Sequence, residues 1–342
     1  MKQFILKYKD LFLQMLLIIT LFIMGITLND DVILRIWSSL LIVNWFFLLI
    51  SISGIFLLSL HYLTGAKWSE PLLPLLREFK KGILFLSFTF LVMLAGSGYL
   101  FRIDEHSSYN IIRIAILTIA ASALLFFVYF FDDIFRKKKF TEKQRSIIEL
   151  LVLIPALYIL SKVWLLDLYP TFSNPVFVFY LISCSLLTGL SIAILLFIRT
   201  FEDLLISYKS TLHNLGRYLL AMVMIRGYLW FTQDLIISYA GITNEVSPFS
   251  KDVYLTGYYV IGFLFSFLVP FVFLLFRKIK ENAKYISRIA VLILIGQYFD
   301  LYYLVYKDAI VNNFRLSLID ISVFYGFMLL FLLYIRSRKI SI

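Results

Sequence analysis

Five ionisable side chains stand inside or at the edge of apolar runs, where a charge costs about 2.5–3.5 kcal/mol at a helix centre. They are Lys162, Arg226, Asp234, Asp300 and Asp320. Arg226 lies in "MVMIRGYLWFTQD", and helical spacing puts Trp230 and Gln233 on its stripe, with Asp234 farther out on the same helix. Lys162 shares a stripe with Tyr158 and Pro155, and Asp167 closes that run. Asp300, in "GQYFDLYYL", shares a face with Gly296, Gln297 and Tyr303. Two chemistries fit these residue types. A carboxylate beside a lysine, with burial opposing its charge, can exchange a proton. Alternatively the charges pair permanently, Lys162 with one aspartate and Arg226 with another.

Histidine and cysteine chemistry is narrower. His106 lies beside Asp104 and Glu105 in a polar stretch, while His61 and His213 fall at helix ends. A membrane bis-histidine haem needs facing histidines inside the spans, so none is expected. The single cysteine, Cys184, excludes an intramolecular disulfide and a zinc or iron–sulfur cluster, and no metal site is expected. Neither a phosphate-binding glycine loop nor a nucleophile–base motif is present.

The elements that must position these residues are transmembrane helices. Of 342 residues, 61% are hydrophobic and 15% charged, against about half and a quarter in soluble domains. Runs of roughly 20 apolar residues predict ten spans in one integral membrane domain, 1–342, with an all-α polytopic fold. They cover about 11–29, 39–60, 82–101, 112–131, 147–166, 176–198, 215–239, 254–276, 287–306 and 316–335. The first resembles a signal peptide but lacks an A-x-A-like cleavage site, so it is expected to be retained. Basic residues divide 24 to six between the two sides, which predicts both termini in the cytoplasm. The net charge of +11 is thereby topological, with "RKKKF" at 136–140 facing acidic lipid headgroups rather than nucleic acid. This orientation places Lys162, Asp234, Asp300 and Asp320 in the outer half of the bilayer, where they are expected to share a hydrated cavity.

Four ordered blocks carry a family resemblance. "LHYLTGAKWSEPLLPLLREF" is similar to the second-helix signature of the F subunit of alternative complex III, a bacterial quinol:cytochrome c oxidoreductase. "ALYILSKVWLLDLYPTFSN" at 156–174, "HNLGRYLLAMVMIRGYLWFTQDLIISYAGITNE" at 213–245 and "IGQYFDLYYLV" at 295–305 resemble its later blocks in the same order. Together they span roughly residues 50–310, and His61, Lys67, Trp68, Lys162, His213, Trp230, Gln233 and Asp300 match the pattern. The chain departs from it at Gly241–Glu245, at Gln297 where a histidine is usual, and at Arg226, where the family does not usually place a charge.

That resemblance implies a diverged member of the NrfD-like (polysulfide-reductase membrane subunit) superfamily, with a core of two four-helix bundles and no haem, metal or other bound redox cofactor. It implies a place in the bacterial inner membrane beside iron–sulfur, multihaem cytochrome and second NrfD-like subunits, with contact to quinone or menaquinone. On this basis Asp300, Lys162, Asp234, Asp320 and His61 are candidates for proton transfer, and His61, Trp68 and His213 for quinone contact. Arg226 is the candidate for an intramembrane ion pair. In "HYLTGAKWSE" the choice stays open between such a site and an ordinary helix end, with Thr64-Gly65 turning the chain and Trp68 anchored at the interface. Competing functions are a stand-alone secondary transporter or lipid-linked-sugar carrier, and a structural scaffold subunit. No convincing repeat relates the two halves, as many transporters would require.

Overall fold

The computed structural model describes residues 30–65, 67–101, 108–134, 140–168, 176–201, 209–239, 253–306 and 316–337. All the secondary structure described is helical. Helix α1 (Asp30–Thr64) is followed by a 3₁₀ turn (Lys67–Leu72), the short α2 (Leu73–Lys80), and α3 (Gly82–Met93), which a second 3₁₀ turn prolongs into α4 (Ser97–Leu100). Then come α5 (Ser108–Ile134), α6 (Glu142–Ser161) with a π-turn at Lys162–Leu166, α7 (Phe177–Thr200) and α8 (Lys209–Tyr239). Helix α9 (Val253–Phe263) runs through a π-turn (Leu264–Leu268) into α10 (Val269–Leu275). The short α11 (Arg277–Lys280), α12 (Ala283–Tyr306) and α13 (Leu318–Ser337) complete the order.

Among the described residues, eight helices are long and apolar enough to cross a membrane, which makes this a multi-pass membrane protein. They correspond to eight of the predicted spans. The seventh predicted span also forms a helix, α8, but it carries Arg217, Arg226 and Asp234 and is not among those eight. The predicted span at 11–29 lies outside the described residues. Helix α1 begins nine residues before the predicted start at 39, and this takes Arg35 out of the expected loop and into the helix.

Helix α1 is apolar on every side, as a helix surrounded by protein must be. Its most apolar 18-residue window is 94% buried, against 22% for α13. Helices α1, α3, α5 and α6 close one ring of packed neighbours, and α7, α8, α9–α10 and α12 close a second. Contacts of α1 with α7 join the rings, and α13 lies against α1 and α3. Small residues permit this close approach. A methyl group on Gly189 of α7 would fall 1.8 Å from Ser53 Oγ and 2.2 Å from Ser53 Cβ on α1. Rotating the serine cannot relieve the second clash, so the helices must part. Gly189→Ala is therefore expected to cost about 1–3 kcal/mol and to lower the thermal midpoint of the detergent-solubilised protein. Ser53→Gly in the same chain should recover most of the loss, and an unchanged midpoint in the single variant would count against this packing.

At its far end α1 stops where Gly65 adopts φ 65° and its N–H bonds the His61 carbonyl at 2.8 Å. Helix α2 then lies back on the core through Leu76 and Phe79. Arg77, on the same helix, donates to the Tyr62 hydroxyl at 3.0 Å.

Candidate functional site

Three helices of the second ring converge on a buried polar centre. Arg226 of α8 is 0% exposed, and its Nη2 lies 3.2 Å from Asp300 Oδ1 on α12. Tyr180 of α7 donates its hydroxyl to Asp300 Oδ2 and accepts from Arg226 Nη2 at 3.2 Å. The guanidinium carbon lies 5.6 Å from the centroid of the same tyrosine ring, within range of a cation–π contact. Cys184, one turn beyond Tyr180, is buried beside the guanidinium. The π-turn at Leu264–Leu268 brings backbone against α12: a methyl on Gly296 would fall 2.6 Å from Ser266 N. Toward the α8 C-terminus, Trp230 packs on Tyr259 and Phe263, with ring centroids 5.5 and 4.5 Å away. Tyr303 joins them through Tyr259 at 4.9 Å.

This arrangement neutralises its own charge. Arginine keeps its proton in proteins, so the guanidinium is a permanent cation that Asp300 compensates inside a low-dielectric interior. Removing the carboxylate charge would leave that cation unpaired. The geometry is thus that of the permanent pair between Arg226 and an aspartate, and Lys162, expected in the same cavity as Asp300, lies elsewhere.

Asp320 forms a second, separate centre at the Asp30 end of the bundle. Its carboxylate accepts Arg35 Nη2 at 2.8 Å, the Ser39 hydroxyl at 2.5 Å and the Ser317 backbone N–H at 2.9 Å. The Tyr306 hydroxyl lies 3.3 Å away and that of Tyr302 3.4 Å away. Arg35 reaches from α1, the tyrosines stand on α12, and Asp320 sits in the first turn of α13, so the carboxylate joins three helices.

The expected cavity shared by four ionisable groups is therefore not what the described residues form. Lys162 is the clearest correction. Its side chain is 38% exposed and pairs with Asp167 of its own segment at 3.3 Å, while Arg113 holds the same Asp167 at 2.8 Å. Tyr158 on its stripe is also exposed, so that face points away from the core. A lysine stem can lie along an apolar surface and carry its ammonium outward, which spacing alone does not foresee. The Asp234 side chain lies outside the described residues, and so do those of Trp68 and Lys67.

His61 and His213 occupy helix ends, as their spacing predicts. His61 Nδ1 lies 2.8 Å from Ser69 Oγ, a contact that ties the end of α1 to the 3₁₀ turn. His213 Nδ1 lies 3.9 Å from Glu281 Oε1. Burial, together with Lys280, Arg277 and Arg217, outweighs Glu281 and pushes the His213 imidazole below its ordinary range.

Sequence reading missed Arg35, Ser39, Tyr180, Tyr302 and Tyr306. For Asp320 a usable signal existed. "SLID" at 317–320 has the Ser-x-x-Asp form of a capping box, with Ser317 Oγ accepting from Ile319 N at 3.3 Å and Asp320 returning to Ser317 N. Tyr180 carries no comparable mark, because a tyrosine in an apolar run reads equally well as packing. No protein-family model matches the chain, and no curated protein matches it.

Proposed function

We propose that the chain is a cofactor-free integral membrane subunit of a bacterial respiratory quinol oxidoreductase of the alternative complex III type. In this reading it has ten transmembrane helices, lies in the inner membrane with both termini cytoplasmic, and touches iron–sulfur and cytochrome partners. The observation that carries it is a meeting of two sequence blocks far apart in the chain. The 213–245 and 295–305 blocks, which resemble that family's, meet at one buried pair, to which the matching Asp300 and the departing Arg226 each contribute a charge. Packing in two rings of four helices supports the same reading.

Within that assignment the geometry favours a fixed role for Asp300 over a relay, since Arg226 compensates the carboxylate at a position where the family usually carries no charge. Proton transfer and quinone contact then fall to the His61 end of the chain, where the histidine is held beside the helix end by Ser69. A structural scaffold subunit is the second reading, and the same fixed pair favours it.

Purification of a tagged chain from its own membranes in mild detergent tests the assignment. The expected result is one particle with haem absorbance, iron–sulfur signals and quinol-driven reduction of a cytochrome. A chain that migrates alone, while another particle retains all of that activity, would remove it from the complex. A His61→Gln particle that assembles and oxidises quinol at an unaltered rate would leave only the scaffold role.

A further inference from the structure

The pair leaves part of its hydrogen-bonding capacity unused. Arg226 has five N–H bonds, and the oxygen contacts described all use Nη2. Among the described residues no hydrogen-bond partner meets Nε or Nη1, although the side chain is 0% exposed. Gln297 stands three residues before Asp300, so its side chain lies on the same face of α12 one turn away. It is 1% exposed, and its Nε2 also has no partner among the described residues. Buried N–H groups with nothing to bond cost about 1–3 kcal/mol each, and more when charged. Buried groups of this kind call for a partner.

The ligand class follows from charge. Asp300 already balances Arg226, and Tyr180 and Cys184 add neutral groups, so an added anion would give the buried site an uncompensated negative charge. An added cation would meet the guanidinium, a like charge, at close range. What remains is a neutral oxygen with free lone pairs, of the kind that water or a ketone carbonyl presents. We propose that the unpartnered edge of Arg226 and the Gln297 amide form an internal site for a neutral oxygen acceptor, one turn of α12 from the Arg226–Asp300 pair. The site does not depend on membership of a respiratory complex.

A high-resolution density map of the full chain in lipid nanodiscs, with thermal melting of variants, tests this. An isolated peak within hydrogen-bond distance of Arg226 Nε or Nη1 identifies water, and a planar feature lost on exhaustive quinone extraction identifies a carbonyl. Either supports the site. Gln297→Met keeps the side-chain length and removes the donor. It should weaken the peak and lower the melting temperature if the amide holds a guest. A rise in melting temperature means that the donor was buried with nothing to bond, and overturns the site. Nitrogens that turn to meet protein oxygens, with no added density, overturn it too. Melting that climbs with chloride concentration in the unaltered chain, but not in Arg226→Gln, would assign an anion instead.

Discussion

Asp300→Asn is expected to destabilise the protein by about 3–5 kcal/mol, because it strands the Arg226 guanidinium in the interior. The asparagine keeps one acceptor oxygen, for Tyr180 or for Nη2, and puts an NH2 donor in place of the other, so one acceptor is lost together with the charge. Loss of the folded chain from detergent extracts, or a sharply lowered melting temperature, is the measurement. Arg226→Gln alone should also destabilise, since it leaves Asp300 as a buried anion with only Tyr180. The double variant Asp300→Asn with Arg226→Gln removes both charges and should recover much of the loss, as expected for residues in direct contact. This cycle also separates the two roles considered for Asp300. A relay would assemble normally as the Asn variant and lose proton coupling to quinol oxidation. Normal assembly together with unchanged coupling would show that the carboxylate has neither role.

Asp320→Ala has the second largest expected effect, about 3 kcal/mol, from donors left without an acceptor. The Ser39 hydroxyl, the Ser317 N–H and the Arg35 guanidinium all converge on this carboxylate, which is 1% exposed. Arg35 itself is 13% exposed and can turn partly to water, which keeps the cost below that for Asp300. The loss should be local at first. Hydrogen exchange is expected to accelerate in the first turns of α13 and at the Asp30 end of α1, before α7 and α8 respond. Asp320→Asn retains an acceptor for Ser317 N–H and should recover part of the stability. If the alanine variant exchanged no faster than the parent in α13, the carboxylate would not be what holds that helix to α1.

Much of the helical plan was legible in the sequence, because hydrocarbon demands long apolar segments with their backbone bonds satisfied internally. Nine of the ten predicted runs fall on described helices, with ends mostly within a few residues, and the tenth lies outside the described residues. The expense of Arg226, Asp300 and Asp320 in such segments was equally visible, as was the alternative that Arg226 would pair with an aspartate. Length and polarity act along the chain, so the chain alone displays them.

Partnership is a different kind of fact. Arg226 and Asp300 are 74 positions apart, and Arg35 and Asp320 are 285 apart. Nothing in one apolar run states which face meets which neighbour, since a helix apolar on every side has no moment to orient it. Lys162 and Arg226 both read as charges within a span. Only packing turned one to the exposed side of α6 beside Asp167 and enclosed the other between α7, α8 and α12. Tyr180 became part of the site for the same reason: its hydroxyl acquired a meaning when the second ring of helices closed around Asp300. The sequence by itself determined that this is a helical membrane protein bearing a few costly buried charges. The tertiary structure decided their pairing, because the energy of a buried charge depends on the distance to its counter-charge, which helix packing alone sets.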